Sequence, residues 1–186
     1  MRRVFAAVGA ALLCASGGAA LSPPGVDQAV VESDAMPAKL SAFGLFRGND
    51  PQTPSTGIGY TLRAPLFSDY TDKHRFISIP AGKKAKVADG GVIEFPVGTV
   101  LVKSFGWSDV NDGRPVETRL LIRRAGGWTA LPYIWDADGK DATLALGGRR
   151  VPVTFKSPDG ETHSIRYAVP NKNQCKECHS LGGEIV

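Results

Sequence analysis

From Phe76 to Val169 the chain is a succession of short apolar or alternating runs, each ended by glycine, proline, aspartate or asparagine before a helix could complete three turns. The runs are Phe76–Ile79, Val92–Phe95, Thr99–Phe105, Val116–Arg123, Trp128–Trp135, Val151–Phe155 and Ser164–Val169. Between them stand Asn111-Asp112-Gly113, Gly126-Gly127, Asp136-Ala137-Asp138-Gly139, Gly147-Gly148 and Pro158-Asp159-Gly160. Val116–Arg123 alternates most clearly, with Val116, Thr118, Leu120 and Ile122 on one face and Glu117, Arg119, Leu121 and Arg123 on the other. A period of two with charges on one side predicts a half-buried antiparallel strand. Val151, Val153 and Phe155 repeat the pattern. The expected fold is therefore all-β and antiparallel, a sandwich or barrel-like shell spanning residues 37–169. A short helical segment, one turn or two, is expected within Pro37–Phe46, and an irregular tail after Val169.

Length and composition close off other classes. A chain of 186 residues suits one domain. With 42% hydrophobic and 22% charged residues it is neither disordered nor collagen-like. Its formal net charge of +4 is spread out, with no lysine or arginine tract that would mark a nucleic-acid partner.

The first twenty residues read as an address. Arg2 and Arg3 precede the apolar stretch Val4–Leu13, and small residues run to Ala20, which is the pattern of a secretory signal peptide over residues 1–20. The stretch is shorter than the roughly 18–20 residues of a membrane span, so no transmembrane span is expected once it is removed. Leu13 is bulky where a lipoprotein signal wants a small residue, which argues against lipid anchoring at Cys14. Cleavage takes away Arg2, Arg3 and Cys14, lowers the net charge from +4 to +2, and leaves a periplasmic or secreted protein with two cysteines. Residues 21–36 are aperiodic and contain Pro, Gly and Asp, as expected of a flexible leader.

Both remaining cysteines lie in Cys175-Lys176-Glu177-Cys178-His179. Two thiols two residues apart can each form a thioether with a vinyl group of haem, and the histidine that follows is placed under the iron as its proximal ligand. Cys175 and Cys178 are thus expected to hold one haem c covalently, and His179 to ligate its iron. Bacterial haem attachment of this kind takes place outside the inner membrane, in agreement with the export signal. Three other chemistries compete. A structural zinc site needs four ligands, and these residues supply at most three. A thioredoxin-like pair wants a βαβ setting with a helix starting at the first cysteine. A plain disulfide would also use both thiols. For a second axial ligand the exported chain offers Met36, His74 and His163.

Other clusters have plainer readings. Ser68-Asp69-Tyr70-Thr71-Asp72 reads as a solvated loop rather than a cation site. Glu117 and Arg119, with Lys103, read as a solvated sheet face rather than a polar cluster. Trp107, Trp128, Tyr133 and Trp135 could stack on a sugar, but alternation splits them between faces and favours the core. Asp136–Gly139 lacks the later bidentate acid of a calcium loop and reads as a turn.

Four segments carry a resemblance: Thr61–Tyr70, Phe95–Phe105, Glu117–Arg123 and Val169–His179. In this order they resemble a family of exported bacterial diheme c-type cytochromes with an N-terminal β-rich domain, over Pro37 to Val186. The resemblance implies electron transfer by a haem-bearing carrier or redox subunit, rather than a stand-alone enzyme, with a periplasmic dehydrogenase as a possible partner. Family members continue past the motif into a second haem site, whereas this sequence has one Cys-x-x-Cys-His. Residues 170–186 are accordingly expected to be the start of a haem region, in a chain truncated just after it. The competing reading is a non-redox β-sandwich module that binds carbohydrate or protein, a fragment of a longer cytochrome.

Overall fold

A computed structural model describes residues 25–186 apart from 49, 51–52, 179, 182–183 and 186. The expected signal peptide, with Cys14, lies outside the described residues, as does His179.

The fold is all-β and antiparallel. Ten strands carry it: β1 (Ile58–Gly59), β2 (Asp72–Ser78), β3 (Lys86–Val87), β4 (Ile93–Glu94), β5 (Val100–Gly106), β6 (Glu117–Arg124), β7 (Gly127–Trp135), β8 (Ala142–Leu144), β9 (Arg149–Lys156) and β10 (Thr162–Val169). Six of them form one open sheet in the order β1-β2-β5-β6-β7-β8, so the shell is not a closed barrel. β3 and β4 pair with each other at one margin, and β9 and β10 make a separate hairpin. The seven runs read from the sequence fall on β2, β4, β5, β6, β7, β9 and β10, with ends displaced by a few residues at most.

Alternation sends the sheet's side chains into two different environments. On one face Phe76, Val100, Val102, Leu120, Ile122, Leu131 and Tyr133 form the main core with Val31, Leu40, Phe43 and Leu45 from the N-terminal segment. That segment holds the helix α1 (Gln28–Glu32) and a 3-10 turn at Leu40–Phe43, where one was expected. Asp27 caps α1 by accepting from the Val30 amide at 3.1 Å. Residues 25–36 are therefore not the flexible leader their composition suggested. Val31 is fully buried, and Arg124 donates to the carbonyls of Val31 at 3.2 Å and Ala35 at 2.7 Å. Val31, with Val26 and Val30 packed beside it, and two charge-assisted bonds hold the segment against the sheet.

The opposite face is covered by the β9–β10 hairpin. Phe155, Tyr167 and Val169 pack with Phe105, Trp107 and Val116 in a second apolar cluster. Trp107 lies flat against Phe155, with ring centroids 4.9 Å apart, and edge-on to Tyr167. The central sheet is thus sandwiched, with sequence-distant segments on each side. β6 is correspondingly buried on both faces rather than on one: Glu117 is inaccessible to solvent and Leu121 is 6% exposed.

Candidate haem-attachment site

The face expected to be solvated is the floor of a cavity. Its register is fixed by direct cross-strand pairs: Leu101 opposite Leu121, Lys103 opposite Arg119, and Phe105 opposite Glu117. Directly paired residues share a face, so Leu101, Lys103 and Phe105 on β5 project with Glu117, Arg119 and Leu121 on β6. The hairpin covers the Phe105–Glu117 end, and the remainder opens into a cavity of about 370 Å³. That is within the size range of small-ligand sites.

The cavity has a second wall in the chain just after β10. Tyr167, Val169 and Pro170 line it, followed by Gln174, Cys175 and Glu177. Asn171 organises the turn between them by accepting from the amides of Asn173 and Gln174 through its side chain, at 2.9 and 3.0 Å. A single helical turn, α2 (Cys175–Cys178), then carries the two-thiol motif. The tail is therefore not wholly irregular, and its short strands β11 (Ser180–Leu181) and β12 (Glu184–Ile185) pair with each other. Cys175 is 8% exposed and packs on Leu121 and Ala130 of the sheet. Its thiol donates to the Asn171 carbonyl at 3.7 Å. A helix does begin at the first cysteine, as a thioredoxin-like pair would want. The named strand pairings are antiparallel, however, and among the described residues no βαβ unit surrounds it.

The third wall is the segment Tyr60–Asp69, contributing Tyr60, Leu66, Ser68 and Asp69. Its end is pinned by Trp107, whose indole Nε1 donates to the Asp69 carbonyl at 2.8 Å. Asp69 and Tyr70 adopt left-handed φ values of 45° and 57°, which turn the chain into β2.

A polar network lies at the covered end of the floor. Arg119 grips Glu117 through Nε at 2.6 Å and Nη2 at 2.9 Å, and the Tyr167 phenol donates to Glu117 Oε2 at 2.9 Å. Burial works against the charge on Arg119, but its bonds to Glu117 outweigh that and raise its pKa above the ordinary value. Burial, reinforced by the Glu117 carboxylate, pushes the Tyr167 phenol well above its usual range. The Arg119 guanidinium and the Lys103 ammonium both sit over the Phe105 ring, at 4.2 and 4.8 Å from its centroid. The composition of this face thus supplies apolar wall, fixed cations and an adjoining thiol in one place.

The other candidates lie elsewhere. Met36 and His74 are exposed, and neither they nor His163 line the cavity. His163 stacks between Tyr70 and Phe155 and shares a 2.8 Å hydrogen bond with Ser157. Asp159, Glu161 and His163 bring potential ligand atoms within 4.8 Å of one another at the tip of the hairpin. There the Asp159 carboxylate is engaged by the Ser157 hydroxyl and the Glu161 amide, which suits a turn. Trp107 and Tyr133 are buried, and Trp128 and Trp135 are half-buried against apolar clusters, so the four aromatics form no sugar platform. Asp136–Gly139 is a turn, whose Asp136 binds Lys39 at 2.6 Å. Sequence reasoning missed the contributions of Tyr60, Leu66 and Tyr167. A signal for the floor was nevertheless present, since Lys103 and Arg119 each occupy the same parity as an apolar neighbour on adjacent predicted strands.

Apolar side chains, two cations and the first thiol of the motif meet at this cavity. Leu101, Leu121, Val169 and Leu66 offer apolar surface, Lys103 and Arg119 offer cations, and Cys175 borders the same space. Comparison with protein-family models, curated proteins and solved structures finds no match for this chain. Among the described residues no helix is long and apolar enough to cross a membrane.

Proposed function

We propose that the protein is an exported c-type haem-binding electron carrier or redox subunit, in which Cys175 and Cys178 form the thioethers and His179 ligates the iron. The observation that carries this reading is the position of Cys175. The first thiol of a Cys-x-x-Cys-His motif borders a cavity whose floor is an ordered sheet face. An isolated motif on an exposed tail would leave a porphyrin in water, whereas here apolar side chains are already gathered beside the attachment point. When bound, the haem supplies one-electron redox chemistry, and the β shell's part is to shield and orient it. A partner dehydrogenase would deliver or accept the electron at the haem edge left accessible.

The test is expression in a bacterial periplasm together with haem-maturation machinery. The expected product carries an added covalent mass of one haem, on the order of 600 Da, and an intense Soret band that survives denaturation. Cys175→Ser combined with Cys178→Ser abolishes both. Recovery of folded protein at its apo mass, with both thiols alkylatable, would overturn the assignment.

A further inference from the structure

The three walls of the cavity are held to different degrees. Its floor is a hydrogen-bonded sheet, and the wall at α2 is organised by the Asn171 side chain. The wall at Tyr60–Asp69 is tied only near its ends. The Tyr60 amide donates to the Arg75 carbonyl at 3.2 Å, the Thr71 amide reaches back to the Ser68 carbonyl at 2.9 Å, and Trp107 holds the Asp69 carbonyl at 2.8 Å. Between these points residues 61–67 make neither a hydrogen bond nor an ion pair with any of the described residues. A stretch without such bonds rearranges at little cost. Asp69 and Tyr70, with left-handed φ values of 45° and 57°, mark where it joins the fixed sheet.

This strap carries side chains that suit a covered position rather than a solvated loop. Leu62 is 46% exposed, Leu66 70% and Phe67 66%. Leu66 lines the cavity while most of its surface faces water, which places it at the mouth. Phe67 stands next to it, its ring edge-on to Tyr70 at 5.0 Å. Burying such side chains is favourable where they meet other atoms, and closing them over an empty space gains few contacts. Filling the cavity changes that balance, because an occupant offers Leu66 and Phe67 an apolar surface beside Leu101, Leu121 and Val169.

We propose that residues 61–67 form a strap that closes over the cavity when it is filled, with Leu66 and Phe67 turned inward onto the occupant. The strap stands open over the empty cavity, and an occupant draws it shut by binding the closed arrangement better. The identity of the occupant, a porphyrin tethered at Cys175, rests on the haem assignment above, whereas the closing movement requires only an apolar occupant. Ties at both ends confine the movement to the strap, so the sheet and the β9–β10 hairpin keep their places.

The experiment measures amide hydrogen exchange by mass spectrometry on the haem-loaded protein and on the same chain expressed without maturation machinery. Loading is read first, by intact mass. Peptides covering 61–67 are expected to exchange as fast as an unstructured chain without haem and at least about tenfold more slowly with it, while peptides from β6 and β7 stay unchanged. Leu66→Ser combined with Phe67→Ser returns the loaded protein to the fast rate without lowering the loaded fraction. Both side chains are largely exposed in the empty form, so the fold does not depend on them. Val87→Ser, at a comparably exposed position on β3, leaves the protection intact. Strap exchange that is equally fast, or equally slow, with and without haem overturns the proposal and leaves the haem assignment standing. Protection that grows with protein concentration in the haem-free chain assigns the same side chains to a contact between copies and also overturns it. A chain that takes up no covalent haem removes the haem assignment alone, and the strap is then judged on the haem-free chain with anilinonaphthalene sulfonate as the apolar filler. There the same slowing, lost in Leu101→Asp because a charge then sits on the floor, supports closure, and fast strap exchange at saturating probe overturns it.

Discussion

The phenol of Tyr167 donates a 2.9 Å hydrogen bond to the fully buried carboxylate of Glu117, tying the covering hairpin to the central sheet across fifty residues of chain. Among the described residues β9 and β10 form a sheet of their own, and this bond, the aromatic cluster around it and the bond from the Lys156 amide to Asp109 hold the hairpin in place. Tyr167→Phe keeps the ring and removes the donor, leaving a buried acceptor short of one partner. The expected loss is about 1–3 kcal/mol of stability, read by urea denaturation. Replacing Glu117 by Gln in the same background should add less than the sum of the two single changes, because the residues share one network.

Alkaline pH should unfold the protein through its tyrosines. The phenols of Tyr133 and Tyr167 are both pushed well above their ordinary value, chiefly by burial. A group whose pKa is higher folded than unfolded contributes fully below its unfolded pKa and loses that contribution as pH rises through the folded one. Stability should therefore be insensitive to these two groups up to about pH 10 and fall above it. Phenolate absorbance followed alongside circular dichroism checks this. The two tyrosines should ionise together with loss of structure, and Tyr133→Phe, which gives up the bond to the Pro37 carbonyl, should weaken the alkaline dependence.

Arg124 decides whether the N-terminal segment stays on the sheet. Arg124→Met removes the bonds to Val31 and Ala35 but preserves an apolar stem against the core. A loss of about 2 kcal/mol is expected, together with faster proteolysis within residues 25–36, read by peptide mapping. Equal protease sensitivity in both proteins would mean that the apolar packing of Val26, Val30 and Val31 secures the segment without Arg124.

Gly148 acts on the attachment site from a distance. It has a φ of +70°, and a Cβ there would meet the Val169 carbonyl oxygen at 2.7 Å and the Asn171 amide nitrogen at 2.8 Å. Both atoms belong to the backbone that leads from β10 into the two-thiol turn. Gly148→Ala should therefore destabilise by about 1–3 kcal/mol and displace that backbone. The proposed haem loading should fall with it, measured as the loaded fraction by intact mass.

Strand positions could be read from the residues because alternation and turn chemistry are local. Val116–Arg123 and Val151–Phe155 declare their period within a few residues, and each is closed by glycine or a polar turn. The very short β1, β3 and β8 give no such signal, since two or three residues carry no period. Alternation also could not tell that the Glu117–Arg119 face is covered, because a charged face beside water and one bordering a half-polar cavity have the same pattern. What distinguishes them is a hairpin and a tail thirty to sixty residues further on. The N-terminal segment misled for a similar reason. A five-residue helix has too few turns to show periodicity, and its place is settled by a distant arginine.

Cys175 is nearly sealed between the sheet and its own turn. Under the proposed function, an enzyme joining a macrocycle to this sulfur would have to reach it before the turn docks. On the proposed assignment, attachment would come first and settling of the tail second, so the prosthetic group would be folded in with the chain rather than slotted into a finished shell.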